Sequence, residues 1–585
     1  MSFQAILYIQ ERERERERER ELKMREEMNK QTQTRKIKGG LITMPFIIAN
    51  EAFEKVASYG LVPNMILYLM NDYKFGIAKG TNIIFLWSAA TNFAPILGAF
   101  LSDSYLGRFL TIGFGSLFSL LGMLLLWLTT MIPQLKPPHC NQLTEACKPS
   151  THSQFAFLIF AFMFISIGAG GVRPCSLAFG AEQIDNKNNP NNERALESFF
   201  GWYYAASAMA VLVAFTVIVY IQDHAGWKVG FGVPMILMLL SVILFFVASS
   251  LYLKTKVTKS IFTSFVQVLV AAYKNRKVVA GPPNRWHHLR KDSATTTVPT
   301  ERFRFLNKAC LIQNPKDVTP DGFASNPWRL CTIEQVEELK SLIRVLPLWS
   351  SGLMMSINVS QSSFPVLQAK TMDRHLGSSA FQIPPGSFPF FTIGTITIWV
   401  ILYDRVIIPC LSKILQKQVH LGVKFRMGIG LVISTLAMII SAIVEHIRRK
   451  KAIEEGAVVN MSAMWLIPQY CLHGLAEALS AIGQNEFYYS ELTKSMSSIA
   501  GSLFLVGMGV ANLLASVILS AVEKLSRGSG SEGWITSNIN EGRYDCYYWV
   551  LAIMSFVNLF YFVACSWAYG PCVDEKETCE DSDEE

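Results

Sequence analysis

The chain has 585 residues, of which 51% are hydrophobic, 12% aromatic and only 17% charged, with a net charge of +8 and a mean hydropathy of +0.28. A soluble domain carries nearer 25% charge, so this composition excludes an ordinary soluble protein and points to a helical membrane protein. The positive charge lies in loops and tails with no basic stripe interleaved with aromatics, which excludes nucleic acid as a partner class.

Residues 1–38 form a charged tail that contains the alternating run Glu11–Arg20. In that run i,i+3 pairs attract while i,i+4 pairs repel, so it reads as a solvated tail. No apolar stretch followed by a small-residue cleavage site precedes Leu41, so the first apolar segment serves as an uncleaved anchor. Arg35, Lys36 and Lys38 just before it favour a cytoplasmic N-terminus.

The first apolar segment, 41–70, contains Glu51, Glu54 and Lys55. A charge at mid-bilayer costs roughly 2.5–3.5 kcal/mol, so three of them belong in a protein interior or a wet cavity. Their i, i+3, i+4 spacing puts all three on one helical face, with Glu51 and Lys55 in the favourable order for an ion pair. Burial favours the neutral form of a carboxylate and a nearby lysine favours its charged form, which makes proton exchange chemically accessible. From spacing alone, a structural ion pair and a proton site both remain open.

Further spans follow at 79–101, 108–132, 153–177, 197–221 and 229–253, then a basic polar stretch over 254–338, then spans at 339–364, 385–410, 424–446, 462–490, 498–523 and 546–569. The layout is a tail (1–38), a six-helix bundle (39–253), a cytoplasmic linker (254–338), a second six-helix bundle (339–570) and an acidic tail (571–585). Two bundles of this kind hold their site at mid-membrane between the halves. His446 to Lys451 would form a basic outside loop in this count, against the positive-inside bias. Asn460-Met-Ser462 would also lie outside, within reach of glycosylation. The 11 cysteines show no metal-binding or CxxC spacing and read as small core residues, except Cys140 and Cys147, which share a polar loop and could form a disulfide.

Between the second and third spans, Asp103 and Arg108 flank a turn at Gly107. Other distinctive stretches are Gly170-Gly171-Val-Arg173-Pro174, Phe179-Gly-Ala-Glu182-Gln183, Phe199-Phe-Gly-Trp202-Tyr203-Tyr204 and Trp328-Arg-Leu-Cys331-Thr332. Together they resemble the proton-coupled oligopeptide transporters of the major facilitator superfamily, and among them the plant nitrate/peptide transporter branch, over about residues 38–570. Within that branch the similarity is to a subfamily that includes low-affinity nitrate transporters. The resemblance implies an all-α polytopic membrane protein with twelve transmembrane helices in the major facilitator fold, working as a proton-coupled transporter at the plasma membrane and not as an enzyme. It implies no cofactor, and the sequence has no ATP-binding loop.

The family's Glu-x-x-Glu-Arg proton-coupling motif falls on Glu51, Glu54 and Lys55, with lysine in place of the usual arginine. Lysine lacks the planar fork of arginine, which implies looser or pH-shifted coupling. Arg173 falls where the family has a lysine expected to pair with a tenth-span carboxylate, here Glu477. Substrate contact is expected from Arg173, Glu477, Asn358, Gln361 and Tyr59. A seventh-span histidine that contacts nitrate in one relative is replaced by Val359, so anion recognition would fall to cations, amides and helix ends. Asp103, Gly107 and Arg108 form the gating loop motif, and Thr111 sits in a basophilic context that suggests a protein kinase as a partner. The expected cargo is a small anion, nitrate first, moved with protons across the lipid bilayer. Di- and tripeptides, plant hormones or glucosinolate-like metabolites suit the same machine, and a non-transporting membrane sensor is the reading from another class.

Overall fold

A computed structural model describes residues 39–138, 149–185, 192–254, 261–277, 299–312, 317–319, 324–377, 381–416, 421–455, 459–527 and 533–571. The charged tails, Cys140 and Cys147 fall outside the described residues. Nine described helices are long and apolar enough to cross a bilayer: Ile77–Leu106, Arg108–Met131, His152–Ile184, Asn192–His224, Gly226–Ser250, Pro385–Ile414, Val423–Glu454, Ile499–Ser526 and Tyr544–Tyr569. Three further passes complete the twelve of the sequence. The first is Met44–Leu61, continued by Met65–Asn71; the seventh is Ile333–Ser351 with Leu353–Thr371, bent by 44°; the tenth is Ile467–Glu491. Met44–Leu61 carries Asn50, Glu51, Glu54, Lys55 and Ser58 among its apolar residues, and the tenth pass carries Gln469, His473 and Glu477. Two of the three passes with the weakest apolar signal, the first and the tenth, carry ionisable residues of the candidate site, as expected where polar residues in a span face protein and not lipid.

Within the first half, small residues let helix backbones touch. A Cβ at Gly98 would lie 1.8 Å from the carbonyl oxygen of Gly170, so the second and fourth passes can cross there only with glycine. At Gly107 the backbone has φ 76°, the left-handed region, which a glycine enters without strain and which turns the chain from the second pass into the third.

In the second half the structure corrects one sequence expectation. His446–Lys451 is not an outside loop: the ninth pass continues as one helix from Val423 to Glu455. Arg448 is fully buried and binds Glu445 with Nε–Oε2 at 2.7 Å and Nη2–Oε1 at 2.8 Å. It also donates to Asn540 Oδ1 (2.6 Å), Thr371 Oγ1 (3.0 Å) and the Ile539 carbonyl (3.1 Å), tying the seventh and ninth passes to the turn that precedes the twelfth. Arg449 Nε donates to the Gly542 carbonyl. Arg448 and Arg449 are thus bound inside the protein, while His446 and Lys450 of the same run are exposed. Beside them Met372–Asp373 (β1) pairs in parallel with Val459–Ser462 (β2), which contains the exposed Asn460.

Residues 254–338 are more than a tether. Ile261–Lys274 is a helix whose Phe265, Val268 and Ala271 pack with Leu306, Cys310, Cys331 and Val336 against the base of the second half. Asn275 Nδ2 donates to the carbonyls of Lys308 and Arg329, which fixes the end of that helix. Burial pushes the Cys310 and Cys331 thiols up to about 12, in keeping with small core residues.

The halves meet chiefly where the second pass packs on the eleventh. Asn82 donates to Ser520 Oγ (3.1 Å) and accepts from Ser516 Oγ (2.7 Å). Arg374 Nη1 lies 3.5 Å from Asp223 Oδ2, Lys370 Nζ lies 3.5 Å from Asn71 Oδ1, and Tyr220 stacks on Phe381. All these contacts lie towards the end of the bundles where the first and seventh passes finish.

Candidate functional site

The first pass presents its charged face to the fourth, fifth and sixth. Asn50 anchors it, donating Nδ2 to Ser241 Oγ at 2.7 Å. One turn on, Lys55 Nζ sits 3.2 Å from Glu51 Oε1 and 5.9 Å from the Tyr203 ring centroid. Glu54 is fully buried, and its Oε1 accepts from Ser58 Oγ at 2.7 Å. Glu51 Oε2 and Glu54 Oε2 are both buried without a hydrogen-bond partner. The two carboxylates therefore differ: Glu51 holds the lysine, and Glu54 has only a hydroxyl donor.

Arg173 reaches this face because the fourth pass breaks beneath it. The helix His152–Val172 ends at Arg173-Pro174-Cys175 and restarts at Ser176, since Pro174 has no N–H to continue the ladder. The guanidinium carbon stands 5.4 Å from the Tyr59 ring centroid, and its charge acts on Glu54 and Glu51. A cation is favoured at this helix C-terminus.

On the tenth pass, Glu477 and His473 lie one turn apart. Pro468 and Glu486, each nine residues from Glu477 and so half a turn round the helix, are exposed. Glu477 therefore faces the protein interior, yet it is only half-buried, as a cavity-lining side chain is. No ion pair within 4.0 Å joins it to Arg173, so the cross-bundle pair expected from the sequence is open in this conformation: Arg173 stacks on Tyr59 and stays with the first half.

Two expected cargo contacts are used elsewhere. Asn358 Nδ2 donates to Ser434 Oγ and Ser555 Oγ, both at 2.9 Å, and Asn358 is 2% exposed. Gln361 donates to the Ile357 carbonyl and accepts from Tyr547 Oη. Both side chains cross-link helices of the second half in this conformation, while Asn358 Oδ1 is buried without a hydrogen-bond partner. In the loop motif, Arg108 Nη1 binds Glu182 Oε1 at 2.6 Å and its Nε lies 4.0 Å from Asp103, so the motif fastens the end of the fourth pass. Thr111 is buried and its hydroxyl donates to the Gly107 carbonyl at 2.9 Å, out of a kinase's reach in this conformation. Among the described residues no cluster of His, Cys, Asp and Glu could hold a metal ion.

Sequence reasoning passed over His473, Tyr203 and the Glu445–Arg448 pair. The available signal for the first was its spacing, one turn before Glu477; for the last, the i,i+3 pairing of opposite charges.

The sequence model of the POT family matches residues 109–535. The Arabidopsis thaliana protein NRT1/PTR FAMILY 1.2 is 62% identical over 564 residues, covering 93% of each chain, and NRT1/PTR FAMILY 1.1 is 60% identical over 561 residues, covering 94% of this chain and 95% of that one. Among solved structures, an auto-inhibited POT family peptide transporter superposes with a TM-score of 0.65 and the POT family transporter PepTSo with 0.66, each at 18% identity; they cover 90% of this chain and 97% and 98% of their own.

Proposed function

The chain belongs to the POT family of membrane transporters, and from that premise we propose that it moves a small anion, nitrate first, together with protons by alternating access at the plasma membrane. One observation carries this reading: Arg173 and Glu477 face the interior from opposite halves, and neither is neutralised by an ion pair. An unpaired intramembrane charge costs roughly 2.5–3.5 kcal/mol, a cost that a binding partner would offset. Arg173 suits an anion; Glu54, held only by a hydroxyl, suits a proton; Lys55, bound to Glu51, links the two.

With the N-terminus in the cytoplasm, the contacts between Asp223 and Arg374, Asn71 and Lys370, and Tyr220 and Phe381 close the outer side. The conformation is then one that opens inward. A proton arriving from outside reaches the Glu51–Glu54–Lys55 face, the anion engages Arg173, and rocking of the halves delivers both. The free Glu477 carboxylate supports a second reading, cargo that also bears an ammonium group, as peptides do.

Labelled nitrate uptake in oocytes at external pH 5.5 and 7.4, with and without excess dialanine, tests both. Acid-stimulated uptake indifferent to dialanine supports the anion. Dialanine uptake that nitrate does not inhibit overturns it in favour of peptide.

A further inference from the structure

His473 is an ionisable group on the interior-facing side of the tenth pass that the reading above leaves without a role. It stands four residues before Glu477, one helical turn towards the outer side, on the interior face. Its Nδ1 is buried and meets no hydrogen-bond partner, while the side chain as a whole is only half-buried. Nε2 likewise makes no hydrogen bond within the protein and, unlike Nδ1, is not among the fully buried polar atoms. An orphaned N–H in a protein interior is rarer and costlier than an orphaned acceptor. The neutral ring is therefore assigned its proton on Nε2, so that Nδ1 is the unmet lone pair and Nε2–H points to the open side. A histidine serving only to fill the core would normally spend one nitrogen on a neighbour; this one spends neither.

We propose that His473 is a cargo-binding residue whose Nε2–H donates a hydrogen bond to an oxygen of the transported oxyanion. It rests on the anion reading of the cargo and deepens it. Arg173 supplies a cation from the first half, and His473 supplies a directional donor from the second. An oxyanion such as nitrate or a carboxylate has several acceptor oxygens and can engage both at once. That double engagement is how one ligand can report on the approach of the two halves.

The test uses the full-length protein in liposomes with three probes: nitrate, acetate and dialanine. His473→Leu keeps the bulk and removes the donor; His473→Gln keeps an N–H near the Nε2 position. For whichever probe the wild type carries, Leu should raise KM roughly ten- to a hundred-fold with little change in maximal rate, the loss expected for a hydrogen bond to a charged acceptor. Gln should return KM to within about threefold. Melting temperatures of the two variants, measured in parallel, keep misfolding apart from lost binding. A purely structural histidine predicts the reverse, with Leu at the wild-type KM and Gln destabilised by an unpaired buried amide, and that result would overturn the proposal. Wild type that carries acetate or dialanine but not nitrate removes only the nitrate reading, since the same two variants then score His473 on that probe. Uptake of none of the three overturns both.

Discussion

Two interior arginines should respond differently to removal, because only one of them is tied down by an ion pair. Arg448 shares two short bonds with Glu445, and both side chains are fully buried. Arg448→Met strands the Glu445 carboxylate in the interior, where breaking such a pair costs about 3–5 kcal/mol. Arg173 makes no ion pair, and its close partner is the Tyr59 ring at 5.4 Å. Arg173→Gln forfeits a desolvated cation–π contact of about 2 kcal/mol and leaves no directly bridged carboxylate behind. Fluorescence-detected thermal denaturation in detergent should show a large drop in melting temperature for Arg448→Met and a small one for Arg173→Gln. Nitrate uptake should vanish in Arg173→Gln despite near-normal amounts at the membrane. Glu445→Leu combined with Arg448→Met should recover part of the lost stability, since an apolar pair replaces a stranded charge. Equal destabilisation by the two arginine variants, or transport surviving Arg173→Gln, would refute the division of the buried charges into fastening and working groups.

Three further outcomes follow from particular contacts. Glu54→Gln keeps the acceptor for Ser58 but cannot exchange a proton, so uptake should lose its acid stimulation while protein still reaches the membrane; retained steep pH dependence in oocytes would contradict the assignment. Asp223→Asn weakens a half-buried pair of about 1 kcal/mol at most, which should shift the population up to about fivefold towards the outward-open state, read by spin-label distances across the outer side; no change would mean the Arg374 contact does not hold that side shut. Gly98→Val drives a side chain into the Gly170 carbonyl and should abolish folded protein, measured as loss of the monodisperse peak in size-exclusion chromatography.

The twelve passes and the Glu51–Glu54–Lys55 face were legible because both rest on local geometry: apolar length, and a spacing of three and four residues. Gly107 was legible for a similar reason, since a turn between two spans calls for a left-handed residue. What stayed hidden depends on partners far away in the chain. That the Asn358 amide nitrogen bonds Ser434 and Ser555 could not be read from its mid-span position, because only the fold brings those hydroxyls near. Arg448 looked like a loop charge because five basic or histidine side chains cluster at 446–451, but Glu445 lies one turn back and Asn540 closes over it. The helix Ile261–Lys274 was lost in a stretch read by its net charge, although its apolar face was present in the sequence.

The central claim is that one protein couples anion movement to protons through charges on both halves. Purified protein in liposomes, loaded at pH 7.5 and diluted into nitrate at pH 5.5 with the membrane potential clamped, tests it most directly. A gradient of two pH units supplies about 2.7 kcal/mol per proton, enough for roughly hundredfold accumulation at one proton per anion. The account predicts accumulation of nitrate against its gradient, abolished by a protonophore and by Glu54→Gln. Nitrate that only equilibrates, at the same rate with or without the pH gradient, would contradict it.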